Sequence, residues 1–66
     1  MNASKLKQLR EKNKLTQYAF AERLGVKQST VSMWENGENM PTADKLPKIA
    51  GILHCSIDEL FSTETR

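Results

Sequence analysis

Sixty-six residues with a net charge of +2 and a single cysteine, Cys55, suffice for one domain and exclude an intrachain disulfide. No Cys/His cluster has the spacing of a structural zinc site, and no apolar run approaches the roughly 20 residues that span a bilayer. The opening MNASKLKQLR also lacks the apolar stretch of a signal peptide, so a cytoplasmic protein is expected, stabilised by packing with self-association as a further source.

The apolar spacing predicts five helices and no strand. The first is expected to start after Ser4, a good N-cap, and to run to about Asn13 with Leu6 and Leu9 on one face. The second starts at Thr16, whose hydroxyl can accept from an unpaired N–H of the first turn, while Leu15 and Phe20 have the spacing of a hydrophobic staple. Ala21 and Leu24 extend its buried stripe, and Gly25 ends it by entering the left-handed region without strain. Only Gly25, Val26 and Lys27 precede the third helix, expected over about Gln28 to Asn36 and closed by Gly37. Val26 and Val31 repeat the staple spacing, Val31 and Trp34 point to the core, and Ser29, Ser32, Met33 and Asn36 fall on the outward face.

Glu38 to Pro41 reads as a loop, and Thr42 as the cap of a fourth helix with the stripe Leu46, Ile49, Ala50 and Leu53. Pro47, at the fifth position of that helix, removes one hydrogen bond, so its first turn is distorted or the helix starts later. His54, a residue that tolerates positive φ, is expected to end it. Ser56 and Glu59 form a capping box for a short fifth helix carrying Ile57, Leu60 and Phe61. The folded part thus covers about residues 5–61, with a mobile tail from 62 to 66. Cys55 reads as a buried inert thiol rather than a redox switch.

Charge is unevenly divided along the chain. Residues 1–33 carry seven cations (Lys5, Lys7, Arg10, Lys12, Lys14, Arg23, Lys27) against Glu11 and Glu22, a net +5, whereas residues 34–66 carry −3. A basic first half suits a phosphate-facing surface, a solvated mixed-charge exterior being the alternative. Two helices joined by a short glycine-containing turn form a unit in which one helix braces and the next enters the major groove, its first residues at the base edges. Those residues here are Gln28, Ser29 and Thr30, followed by Ser32 and Met33. Glutamine's amide can accept from N6–H₂ and donate to N7 of adenine, and the hydroxyls of Ser29, Thr30 and Ser32 suit bases or phosphates equally. Met33 has a partner in the thymine methyl, unless it packs sideways on its own domain. Trp34 reads as core, with a phosphate contact by its indole N–H as the alternative.

The stretch TQYAFAERLGVKQSTVSMWENGENMP, preceded by LKQLREKNKLTQ and followed by LPKIAGILHCSIDELF, resembles the phage repressor and Cro-type helix-turn-helix family, also called lambda-repressor-like or Xre-type. The likeness covers about Leu6 to Phe61 and implies an all-α, compact five-helix domain, half-site recognition by the third helix and dimerisation. It further implies that Gln17 bonds a phosphate and steadies the first recognition residue, and that Gln28 reads adenine. Arg10 and Glu35 match a family ion pair, with a free phosphate contact as the other use of Arg10. Lys14, Asn36 and Asn39 become candidate backbone contacts, or simply solvated residues. Lys27 departs from the family pattern, in which Ser or Thr caps the recognition helix; a bound phosphate would satisfy the free N–H groups and pair with its ammonium.

The resulting expectation is a homodimeric regulator, foremost a repressor, bound to a palindromic double-stranded DNA operator, with Ile52, His54 and Phe61 in the dimer interface. An antitoxin that also binds a partner protein and a protein-interaction module that has abandoned DNA are the alternatives, and the chain can equally be the N-terminal part of a longer repressor. No nucleophile, base and orienting group assemble into a catalytic set and no glycine-rich phosphate loop is present, so neither an enzyme nor a cofactor is expected.

Overall fold

Capping chemistry and a single apolar stripe per helix determine the order of elements. In a computed structural model that describes residues 3–61, the helices are α1 (Ala3–Lys12), α2 (Gln17–Leu24), α3 (Gln28–Glu35), α4 (Leu46–Ile52) and α5 (Ile57–Phe61). A 3₁₀ turn at Ala43–Lys45 leads into α4. The tail expected from 62 to 66 lies outside the described residues. Among the described residues no helix is long and apolar enough to cross a membrane.

None of these helices exceeds ten residues, a length at which an isolated helix is marginal in water, so each depends on the face it buries. Leu6 and Leu9 of α1 meet Phe20, Ala21 and Leu24 of α2, Val31 and Trp34 of α3, Ile49 and Ala50 of α4, Leu53, and Leu60 of α5 in one cluster. Each large side chain taken fully out of water contributes about 1.5 to 3 kcal/mol. Trp34 is 3% exposed, which makes it a core residue and removes it from the candidate phosphate contacts.

Local signals start the helices. Thr16 Oγ1 accepts from the N–H of Ala19 at 3.0 Å, with Leu15 packed against the core ahead of it and Phe20 fully buried behind it. At α5 the capping box is reciprocal: Glu59 N–H donates to Ser56 Oγ and Ser56 N–H to Glu59 Oε1, both at 3.1 Å. Four helices stop by one device, in which an N–H reaches back five residues and its predecessor reaches back three. The longer bonds run from Leu15 to Arg10, Val26 to Ala21, Glu38 to Met33 and Cys55 to Ala50. The residue before each of these donors is left-handed: Lys14 (φ 58), Gly25 (φ 78), Gly37 (φ 79) and His54 (φ 55).

The structure corrects several expectations. Ser4 lies inside α1, which begins at Ala3, so it is not the N-cap. The left-handed Lys14 carried no sequence signal, because the side chain that marks such a site is usually glycine or asparagine. Thr42 precedes the 3₁₀ turn but caps no backbone N–H; its hydroxyl donates to Asp44, and that bond, with smaller help from the backbone and Lys45, holds the Asp44 carboxyl below its usual range against a desolvation that opposes it. Pro47 falls in the first turn of α4, where its missing N–H breaks no helical bond, and the helix accordingly starts at Leu46. Leu60 alone of α5 is buried, while Ile57 and Phe61 are 38% and 45% exposed. Cys55 is half-buried; desolvation and then the charge of Glu59 push its thiol above the ordinary value, outweighing Lys5, so the thiolate is disfavoured.

Gly25 tests the helix-stop device without a packing contribution, since a Cβ added there meets nothing within 4 Å. Gly25→Ala should cost about 1 to 2 kcal/mol from left-handed strain alone, read from the midpoint of urea unfolding with an unchanged slope.

Candidate nucleic-acid interface

The turn Gly25–Val26–Lys27 orients α3 against α2. Lys27 has extended backbone (φ −79, ψ 152) and no side-chain hydrogen bond to the helix it precedes. The N-terminus of α3 therefore offers N–H groups without a side-chain cap, beside an exposed lysine. At the other end, Glu38 N–H returns to Met33 O at 2.9 Å, closing the helix within eight residues.

Beneath α3 lies a charge pair. Arg10 Nε donates to Glu35 Oε2 at 2.7 Å and Nη2 to Glu35 Oε1 at 3.2 Å, a two-pronged contact between α1 and the end of α3. Nη1 donates to the carbonyl of Leu15 at 2.6 Å, which ties in the segment that enters α2. The Arg10 and Glu35 side chains are 9% and 3% exposed. A guanidinium so buried and so committed is not available to a phosphate, which overturns that alternative use of Arg10. Glu11, 4.0 Å from Arg10 Nη2, is largely exposed and adds little.

From this pair a chain of polar contacts leads outward. Gln17 Nε2 donates to Glu35 Oε1 at 3.0 Å, and Gln28 Nε2 approaches Gln17 Oε1 at 3.5 Å. Gln28, Ser29 and Lys27 are exposed, while Thr30, Ser32 and Met33 are half-buried. Asn39 Nδ2 lies 4.0 Å from Met33 Sδ, so the loop after α3 rests against this face. Lys14, Asn36 and Asn39 are exposed on the surface. The residues named for self-association sit apart, with Ile52 packed at the rim of the core and His54 and Phe61 exposed.

Two features were not read from sequence. Tyr18, 59% exposed in the first turn of α2, donates its hydroxyl to Glu22 Oε2 at 2.9 Å; this bond, and then the Glu22 charge, raise the phenol above its usual value. The i, i+4 spacing of Tyr18 and Glu22 was the available signal. Asn13 Nδ2 donates to Leu9 O at 2.8 Å and to Leu53 O at 3.0 Å, fastening the end of α1 to the end of α4, a pairing across 40 positions that no local pattern announces.

A helix-turn-helix family profile matches residues 6–60. The chain belongs to the lambda-repressor-like helix-turn-helix family, the DNA-binding regulators of Cro/C1 type. It is 42% identical over 60 residues to the HTH-type transcriptional activator BcrR of Enterococcus faecalis, covering 91% of this chain and 29% of that protein. The P22 c2 repressor, solved in complex with a synthetic operator, superposes with a TM-score of 0.83 at 31% identity over 88% of both chains. Hydroxypropylphosphonic acid epoxidase from S. wedmorenis matches with a TM-score of 0.81 at 42% identity, over 88% of this chain and 31% of the enzyme. The chain thus spans about a third of the length of BcrR and of the epoxidase.

Removing one member of the buried pair strands the other. Glu35→Ala should lower stability by about 3 to 5 kcal/mol. That is a large share of the about 5 to 15 kcal/mol typical of a folded domain, and it is measurable by denaturant titration.

Proposed function

We propose that this chain binds double-stranded DNA sequence-specifically and regulates transcription, with α3 in the major groove of each half-site. The observation that carries the reading is the first turn of α3, where Gln28 and Ser29 are exposed and Gln28 rests on Gln17 of the bracing helix. That arrangement supports the reading, because an amide offers both a donor and an acceptor to base edges. Ser29, Thr30 and Ser32 supply hydroxyls to bases or phosphates, and the exposed part of Met33 meets a thymine methyl. Gln17, Lys14, Asn36 and Asn39 contact the backbone, and Lys27 completes an anion site with the uncapped N-terminus of α3.

The direction of regulation follows from where the operator lies; an activator and a repressor are both among the similar proteins. The match to the epoxidase concerns the helix-turn-helix share of that enzyme and transfers no activity to this chain. Two copies pair through Ile52, Phe61 and the turn at His54, where apolar surface remains uncovered and Ile57 extends it.

Selection of bound duplexes from a random pool tests the reading directly. Gln28→Ala should cost about 1 to 3 kcal/mol and relax base choice at a single position per half-site, whereas an equal loss on every duplex would make Gln28 a backbone contact.

With Arg10 spent on Glu35, two of the cations assigned to phosphates remain in each copy, Lys14 and Lys27. A dimer should then lose affinity with a log-log salt slope of about −4, and a monomer about −2, at roughly 0.9 per released counterion. Sedimentation of the complex gives the stoichiometry independently, and a salt-insensitive affinity would exclude this docking.

A further inference from the structure

We propose that Asn36–Gly37 is a site of spontaneous deamidation, at which copies not bound to DNA convert a DNA-facing asparagine into aspartate or isoaspartate and lose their affinity. The inference rests on the reading that Asn36 meets the phosphate backbone, and it adds a covalent reaction that needs only water.

The sequence brings the reacting groups together. Asparagine before glycine is the pair most open to this reaction, because the attacking backbone nitrogen belongs to a residue without a side chain. The other described asparagines, Asn13 and Asn39, precede Lys14 and Met40, whose side chains crowd the attack. Asn13 is held as well, its amide donating to the carbonyls of Leu9 and Leu53. Asn36 is exposed, and its amide makes no hydrogen bond among the described residues.

The Gly37 nitrogen, its proton taken by hydroxide, attacks Cγ of Asn36. A C–N bond closes a five-membered succinimide, and the side-chain nitrogen leaves as ammonia. Water then opens the ring at either carbonyl, giving aspartate at one and isoaspartate, whose main chain runs through Cβ, at the other. One water is consumed, one ammonia is released and no oxidation state changes.

The fold decides when this occurs. Ring closure requires the Gly37 nitrogen to swing beside the Asn36 side chain, whereas Asn36 holds a helical backbone with φ −87 and ψ −4. That backbone is fixed by the two bonds that stop α3, Gly37 N–H to Trp34 O at 3.2 Å and Glu38 N–H to Met33 O at 2.9 Å. Reaction therefore proceeds from copies in which this last turn has opened, and an exposed helix end is among the first parts of a fold to open. A duplex seated on α3 binds the closed turn, so DNA lowers the open population and the rate with it.

Both products oppose binding. Aspartate puts a negative charge at the C-terminal end of α3, beside Glu38, where the helix dipole disfavours it, and presents that charge to phosphates. Isoaspartate inserts a carbon into the main chain between Met33 and Glu38, so the closing bonds no longer fit and α3 loses its stop.

The test ages the full chain in water enriched in heavy oxygen at mildly alkaline pH, with and without a duplex recovered from the random-pool selection. Peptide mass spectrometry should find one heavy oxygen at residue 36, none at Asn13 or Asn39, and affinity for that duplex should fall in proportion. Duplex at about ten times its dissociation constant should slow the labelling about 10-fold. Asn36→Asp should bind about 5-fold more weakly per half-site, the effect of one charge about 4 Å from a phosphate in water, with a shallower salt slope. An unlabelled Asn36, or labelling that the duplex does not slow, overturns the inference and leaves the docking of α3 standing. If Asn36→Asp binds as tightly as the parent chain, the backbone contact of Asn36 falls and the inference falls with it.

Discussion

Arg10 and Glu35 stand 25 positions apart, and their pairing decides how the two halves of the helix-turn-helix unit sit. Three guanidinium nitrogens are used at once, two on Glu35 at the end of α3 and one on the carbonyl of Leu15 just before α2. α1 thereby grips both the start of α2 and the end of α3. A buried pair of this kind adds little net stability over a well-packed apolar pair, because desolvating two charges offsets most of their attraction. Its effect is on geometry, since a shift of α3 that broke the pair while keeping either group buried would strand a charge.

The remaining architecture follows from helices too short to stand alone. Their lengths run from five to ten residues, so every terminus is a sizeable part of its helix. Closing α1, α2, α3 and α4 with the same backward-reaching bonds satisfies their last carbonyls and turns the chain sharply within one or two residues. Two of these stops employ non-glycine residues in the left-handed region, Lys14 and His54. Both lie on the surface, and Asn13, next to the first, bonds to the carbonyl of Leu53, next to the second. The two strained turns are thus fastened to each other across the fold.

The division of charge acquires a place once the helices are packed. Arg10, counted among the basic residues of the first half, is neutralised internally, while Lys14 and Lys27 remain exposed. The exposed apolar residues Ile57 and Phe61 belong to the last helix, whose only buried side chain is Leu60. Large exposed apolar side chains are not confined to that helix, since Tyr18 on α2 and Met40 in the loop after α3 are 59% and 56% exposed.

What the sequence by itself determined was whatever closes within about five residues. The Thr16 cap, the Ser56–Glu59 box, the glycine stops at Gly25 and Gly37, the late start forced by Pro47 and the buried stripes of α1 to α4 all rest on bonds or periodicities of that span. The family likeness added the long-range pairing of Arg10 with Glu35, which no local rule supplies. Only the tertiary structure decided that Arg10 is closed to solvent, that Glu35 also binds Gln17 across 18 positions, and that Asn13 reaches Leu53. Burial decided as well that Ile57 and Phe61 stay in water although their helix presents them at apolar spacing. The physical reason is the same in each case: a hydrogen bond or a desolvated face depends on what another segment places opposite it, and that neighbour exists only after the chain has folded.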